Sequence, residues 1–498
     1  MTRAAPEPGL GAPMSGTSIP VGMTLLVLGI AGEQYGFSTL PLAVVLTLLD
    51  LVVDVARRRP RVIRLIDIWR LAFVYLFGSE VLGALWDVRA DFGVRIASAA
   101  EGLIVAGLGA SLLGYSLGCM FGPRVVVRNR IVTRSRPRVI KACLTVLSTL
   151  ILAYLALTVS PQNLLTPRGM RNADPLLGPA AFAIVPAIVI QAVLTAQLAA
   201  MTRRRSGLAF PIVVAAVTFV ILYANATRFF LGFFAGGVLF FLARFTRPIS
   251  RRQIAILASA ILSIGMVQGT MRIVRGAGLG EADAGSVLTS LTQGQTYFEG
   301  EGMLRVHAWV HRKEVFEEQG RPLEHAFLLY WWIPRSLWPA KPTMDGYWLA
   351  HEVMADGDAG VGHSVAGGFT LPALLDFGRH GSIVFCLLYG LLVWGLDRFV
   401  GAHGDPADPY SVAAALLPFG IFLAMRSPQT SAIFVECCLG LYLPIFIVIR
   451  LSARRLRRAV AGCGMPRPAV PVPVVVMPGR EMAGRVARGW PRVVRGMG

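Results

Sequence analysis

The run "WWIPRSLWPAKP", residues 331 to 342, places two fixed cations, Arg335 and Lys341, among tryptophans and three prolines. Proline fixes its own φ and drives the preceding residue toward extended backbone, so both cations ride on a stiffened ribbon before any ligand arrives. Guanidinium matches phosphate bidentately and stays charged, while ammonium is a compact point charge. Lysine occurs only at 141, 313 and 341 in this arginine-rich chain, so its use at 341 is selective. The chemistry this suggests is the binding of an anionic group such as a diphosphate. Trp331, Trp332 and Trp338 are then platforms for the apolar faces of sugar rings, or else belt residues at a membrane surface.

Four further cations join this set. Arg228 in "NATRFFLGFF", Arg272 and Arg275 in "MRIVRG", and Arg426 in "AMRSPQT" stand at the ends of apolar runs. Ionisable groups at membrane depth are costly and mark a cavity, a pair or a snorkelling side chain. Together with Arg335 and Lys341 they could surround one cavity that takes a lipid-borne diphosphate. Pairing with Glu299, Glu301 and neighbouring acids is the alternative.

A transfer at such a diphosphate also needs a base. His363, between glycines in "VGHSVAGG", is the first candidate because an imidazole titrates near neutrality. Glu299 and Glu301 in "YFEGEGM" come next, with Asp345 and His351 behind them. His307 and His311 are four apart and share one face of a helix, expected to be solvated or interfacial rather than a metal site, which wants more ligands nearby. No acidic pair with nucleotide-sugar spacing occurs in the inner loops, so the expected reaction uses no metal and no cofactor.

The elements that must hold these residues are membrane spans. Hydrophobic residues make up 55% of the chain and charged residues only 15%, against about a quarter in soluble domains. Apolar runs of about bilayer length recur about twelve times. The fold class expected is therefore all-α, a polytopic helical membrane protein of about twelve transmembrane helices. The six cysteines show neither a disulfide framework nor zinc spacing.

The net charge of +20 gathers in short loops, which excludes nucleic acid as the reason for it. Segments 57–64, 122–141, 202–206 and 244–252 hold nineteen Lys and Arg, whereas 87–95, 161–178 and 225–228 hold five. By the positive-inside rule the rich set is cytoplasmic, with both termini on that side. The expected organisation is a cytoplasmic segment 1–17, spans 1–9 over 18–270, one large extracytoplasmic loop over 271–380 between spans 9 and 10, spans 10–12 over 381–451, and a basic tail 452–498. The loop holds thirteen of the 28 acids and five of the nine tryptophans, and is taken as the working domain. The tail carries ten arginines against Glu481 and suits anionic lipid.

The stretch "IPRSLWPAKP", after a long outer loop and before "GGFTLPALLDFGRHGSIVFCLLYGLLVW", resembles the oligosaccharide repeat-unit polymerases, the O-antigen polymerase (Wzy-type) membrane proteins. The resemblance covers residues 220 to 400. It implies a GT-C-like, multi-pass glycosyltransferase of the cytoplasmic (inner) membrane that joins polyprenyl-diphosphate-linked oligosaccharide donor and acceptor on the outer face. Flippase and chain-length regulator proteins are its implied partners besides the lipid bilayer, and nucleic acid is not one. On the matching residues, Arg228 corresponds to an outer-cavity arginine, Arg335 and Lys341 to the proline-flanked basic motif, and "DFGRHG", residues 376 to 381, to the glycine-bounded start of the next span. Related proteins place a histidine before that turn, for which His363 is the candidate, though the interval is about one helical turn longer here. The family's acid just before the glycine is Asp376, displaced by one position. A ligase using the same donor, or a transporter of an anionic lipid-linked glycan, remains the alternative.

Overall fold

A computed structural model describes residues 18–57, 63–78, 88–122, 135–159, 181–202, 208–224, 299–315, 324–334, 336–342, 367–403 and 405–462. The chain divides into two compact units, Met1–Ala453 and Arg454–Gly498. Every described element is helical: α1 (Ser18–Tyr35), α2 (Leu40–Arg57), α3 (Leu65–Phe77), α4 (Val94–Phe121), α5 (Pro137–Thr158), α6 (Ala181–Met201) and α7 (Ala209–Ala224) precede the expected loop. Within and after it come α8 (Glu299–Lys313), a 3₁₀ turn (Glu324–Ala326), α9 (Phe327–Tyr330), α10 (Leu371–Ala402), α11 (Tyr410–Ala424) and α12 (Pro428–Gly462).

Among the described residues, five helices are long and apolar enough to cross a bilayer by length and composition: α4, α5, Ala183–Met201 within α6, α10, and Pro428–Ser452 within α12. Shorter apolar helices include Ile19–Tyr35, Ala209–Ile221 and Tyr410–Ala424. The chain is thus a helical, multi-pass membrane protein, because only a helix satisfies its own backbone groups in hydrocarbon without closing a barrel.

Helix α4 is the central post, packed between α1 on one side and α10 on the other, with α8 also against it. Small residues permit this closeness, as they do where lipid provides no hydrophobic drive for helix association. A Cβ at Gly102 would collide with the carbonyl of Gly29, and one at Gly114 with the carbonyl of Leu387. Around the post, α3 packs against α2 and α11, while α5, α6 and α7 pack on one another.

Polar side chains fasten the helix ends. The Asp67 carboxylate accepts from the Arg64 amide at 2.8 Å, and Asp397 of α10 accepts from the Leu65 amide at 3.0 Å, so the first turn of α3 has partners for donors that a helix start otherwise leaves unmet. Asp397 also accepts from the Tyr115 hydroxyl at 2.7 Å, joining α3, α4 and α10. The buried Glu101 of α4 accepts from the Ser38 hydroxyl at 2.7 Å and the Thr39 amide at 3.2 Å, and pairs with Arg89 at 3.3 Å. That carboxylate pins the α1–α2 connection to the post.

Helix α8 departs from expectation. His307 and His311 do not face solvent: they are 0% and 5% exposed, within a helix buried on nearly every side. The physical reason is the rest of the sequence, since Met303, Leu304, Val306, Ala308 and Val310 surround them with apolar contacts against α4 and the start of α10. The charged rim is Arg305, paired with Asp91 at 2.5 Å, and the exposed Arg312 and Lys313 at the helix end.

Candidate functional site

The described residues bring together a histidine that the sequence reading did not single out. His325 lies in the 3₁₀ turn just before α9, which leads directly into "WWIPRSLWPAKP". Its Nδ1 lies 2.5 Å from Oδ2 of Asp376, and its own backbone amide donates to the same oxygen at 3.0 Å. Its Nε2 lies 2.8 Å from the Tyr389 hydroxyl. With Asp376 ionised, Nδ1 carries the proton and Nε2 accepts from the tyrosine, which fixes the tautomer and the ring plane. Phe385 packs on the ring at 4.2 Å between centroids, and Phe377 at 5.9 Å.

Backbone geometry at one glycine presents Asp376. Gly378 has φ 66° and ψ −171° and breaks α10 into Leu371–Phe377 and a long second part. That conformation is essentially open to glycine alone. The first part is buried through Leu375 and carries Asp376; the second carries Phe385 and Tyr389, one helical turn apart. The histidine therefore sits across the kink, tied to both parts.

The ribbon that follows is pinned at each end. The Lys341 ammonium donates to the carbonyls of Trp331 at 2.9 Å and Ile333 at 2.8 Å, and lies 5.8 Å from the Phe327 ring centroid. Trp331 Nε1–H donates to Glu436 of α12 at 2.8 Å. Trp338 meets Tyr330 edge to face at 5.3 Å, and Trp332, 65% exposed, donates only to the Leu329 carbonyl. Arg426 offers its carbonyl to the Gly368 amide at 2.8 Å, tying the starts of α10 and α12.

Of the residues picked from sequence, His363, Arg228, Arg272, Arg275 and Arg335 lie outside the described residues, as do Asp345 and His351. Glu299 and Glu301 occupy the first turn of α8. Lys341, Trp331, Trp332 and Trp338 cluster on the ribbon beside His325, and Asp376 is the partner of that histidine. His325 escaped the reading because its partner is 51 residues away and nothing in "LEHAFLL" marks it. The displaced acid Asp376 was the available signal.

Burial holds both α8 histidines neutral. It lowers His307 to about 3, with the neighbouring His311 adding to the fall and a hydrogen bond with the Gly367 backbone opposing it. It lowers His311 to about 4, with the His307 backbone bond opposing and the Arg379 charge adding. His307 Nε2 is 3.0 Å from Thr370 Oγ1, so its bond reaches the start of α10. Among the described residues no group of three or more His, Cys, Asp or Glu is arranged to hold a metal ion.

No family model, curated protein or solved structure matches this chain.

Proposed function

We propose that the protein is a membrane glycosyltransferase that joins polyprenyl-diphosphate-linked oligosaccharide repeat units on the outer face of the cytoplasmic membrane, with about twelve spans in a GT-C-like arrangement. The observation that carries this reading is the Asp376–His325–Tyr389 chain of hydrogen bonds beside the proline-stiffened ribbon. A carboxylate-backed imidazole is the apparatus a general base requires.

In the reaction, an acceptor hydroxyl takes the place of the Tyr389 hydroxyl at His325 Nε2. Its oxygen attacks the anomeric carbon of the donor as its proton passes to Nε2. The bond from that carbon to the lipid diphosphate breaks, and the electron pair leaves on the diphosphate oxygen. Asp376 stabilises the imidazolium that forms. Arg228, Arg272, Arg275, Arg335 and Arg426 are the cations proposed for the departing diphosphate, each such stabiliser contributing on the order of 3 kcal/mol. Lys341 serves instead as the staple of the ribbon. His325 replaces His363 as the proposed base, with Glu299 and Glu301 as the remaining acids of the loop.

The test is purified protein in nanodiscs given synthetic polyprenyl-diphosphate repeat unit alone. Products should lengthen in unit steps, and His325→Ala should slow them by about 10²-fold or more. Full activity in His325→Ala would return the role of base to His363 or a loop acid. Movement of the lipid between leaflets without a new glycosidic bond would mark a transporter, and transfer to a foreign acceptor without lengthening would mark a ligase.

A further inference from the structure

Four large apolar side chains crowd the short stretch around the ribbon and are left bare: Leu329 is 78% exposed, Trp332 65%, Leu337 77% and Trp338 36%. Isolated exposed apolar residues need no explanation, but a dense knuckle of them, two of them tryptophan, marks a contact surface. The neighbouring elements identify what covers it. The knuckle is tied to α10 through His325 with Asp376 and Tyr389, and to α12 through Trp331 with Glu436. Both helices are candidate spans, and most of each apolar window is unburied, 22% buried in α10 and 28% in α12. Val384, Leu388 and Leu392 on α10 and Leu439 and Leu443 on α12 are exposed, the uncovered apolar surface that a lipid-facing span presents.

The depth is set by Glu436. It lies eight residues into α12, about 12 Å along the axis at 1.5 Å per residue. The spanning part, Pro428–Ser452, is 25 residues, about 37 Å, and exceeds a hydrocarbon core of about 30 Å by only a few ångströms at each end. An indole that reaches Glu436 therefore lies alongside the span and not above it. The Gly368–Arg426 hydrogen bond keeps the starts of α10 and α12 level, so the knuckle stands at the end of the bundle where both begin.

We propose that Leu329, Trp332, Leu337 and Trp338 insert into the headgroup and upper acyl zone of the bilayer at that end, so that the ribbon is held at the lipid surface. Tryptophan favours this zone because its ring is apolar and its N–H is polar. The exposed pair Trp332 and Trp338 then serves lipid, and not sugar rings. Lys341 and the prolines keep the knuckle from folding back on the protein. This holds whether or not the chain is a transferase.

The test uses the full chain labelled with 5-fluorotryptophan in phosphatidylcholine–phosphatidylglycerol nanodiscs, with two resonances assigned by their loss in Trp332→Phe and Trp338→Phe. Dissolved oxygen and a lipid spin-labelled near the headgroup should shift or broaden both, while a water-soluble nickel chelate affects Trp332 less than oxygen does. A spin label at Leu337→Cys gives an independent reading of the same depth. Broadening by nickel alone would place the knuckle in water, silence to every probe would place it under another part of the chain, and protection by lipid-free repeat-unit oligosaccharide would restore sugar stacking. Each of those three outcomes overturns the proposal.

Discussion

Lys341 commits two N–H bonds to the carbonyls of Trp331 and Ile333, and that geometry predicts how its loss will read. Hydrogen bonds from a charged donor contribute about 1.5–3 kcal/mol each, so Lys341→Met should speed amide exchange across residues 331–338 by about tenfold or more. A lysine serving as a phosphate ligand would instead raise the donor KM with exchange unchanged. At the proposed base, Asp376→Asn changes which nitrogen of His325 carries the proton, and kcat should fall by about 10²-fold or more. Tyr389→Phe only empties the place proposed for the acceptor hydroxyl, so it should cost far less in kcat and leave KM nearly unchanged. Equal losses in the two variants would show that Asp376 acts by shape and not by setting the tautomer. Neither partner of His325 adjoins it in sequence, whereas His363 was marked by its glycine neighbours and by its place before "DFGRHG".

The kink in α10 presents Asp376 and Tyr389, helix α8 packs against the start of α10, and each has its own liability. His307 and His311 lie at about 3 and about 4, below the ordinary 6.5, so the docked helix prefers them neutral while an undocked one binds protons. Docking should be complete above pH 6.5 and weaken as pH falls toward 4, by at most about 1.4 kcal/mol per pH unit for each histidine. Exchange protection of residues 303–311, corrected for intrinsic rates, should drop between pH 7 and 4.5, and His311→Leu should flatten the slope. Constant protection over that range would mean that burial does not govern these histidines. At Gly378 an added Cβ meets nothing within 4 Å, so Gly378→Ala costs only backbone strain, about 1–3 kcal/mol. Thermal unfolding should shift down accordingly, and activity should fall with it as Asp376 swings from His325. The family resemblance marked "DFGRHG" as the glycine-bounded start of the next span, but the helix begins earlier, at Leu371, and only breaks at Gly378; a kink inside a longer helix was not legible, because Phe377 and Arg379 beside the glycine give no sign of it. The burial of α8 was not legible either, since two histidines among charged neighbours read as a wet face until the apolar partners on α4 and α10 are known.

For the whole molecule, hydropathy and charge were enough to read an all-helical membrane chain, because a bilayer imposes length and composition on each span separately. What joins one span to another was not legible, since an aspartate in an apolar run looks alike whether it binds substrate or a neighbouring helix. The plainest case is Arg70 of α3, fully buried with Asp50 at 2.7 Å and Asp54 at 3.1 Å from α2, and Asp67 at 3.6 Å. One guanidinium thus serves three carboxylates in the interior, and the α2–α3 pair is joined through it. Taking away the cation leaves buried negative charge uncompensated, which costs about 3–5 kcal/mol in such settings. Arg70→Met should therefore lose monodisperse protein on size-exclusion chromatography after mild heating. Arg70→Lys should recover only part of it, because an ammonium cannot fork to several carboxylates as guanidinium does. Adding Asp50→Asn and Asp54→Asn to Arg70→Met should restore much of the loss, since the deficit arises from charge and not from volume. If Arg70→Met alone is as heat-resistant as the parent, the cluster does not tie α2 to α3, and the small-residue contacts along α4 carry the assembly instead.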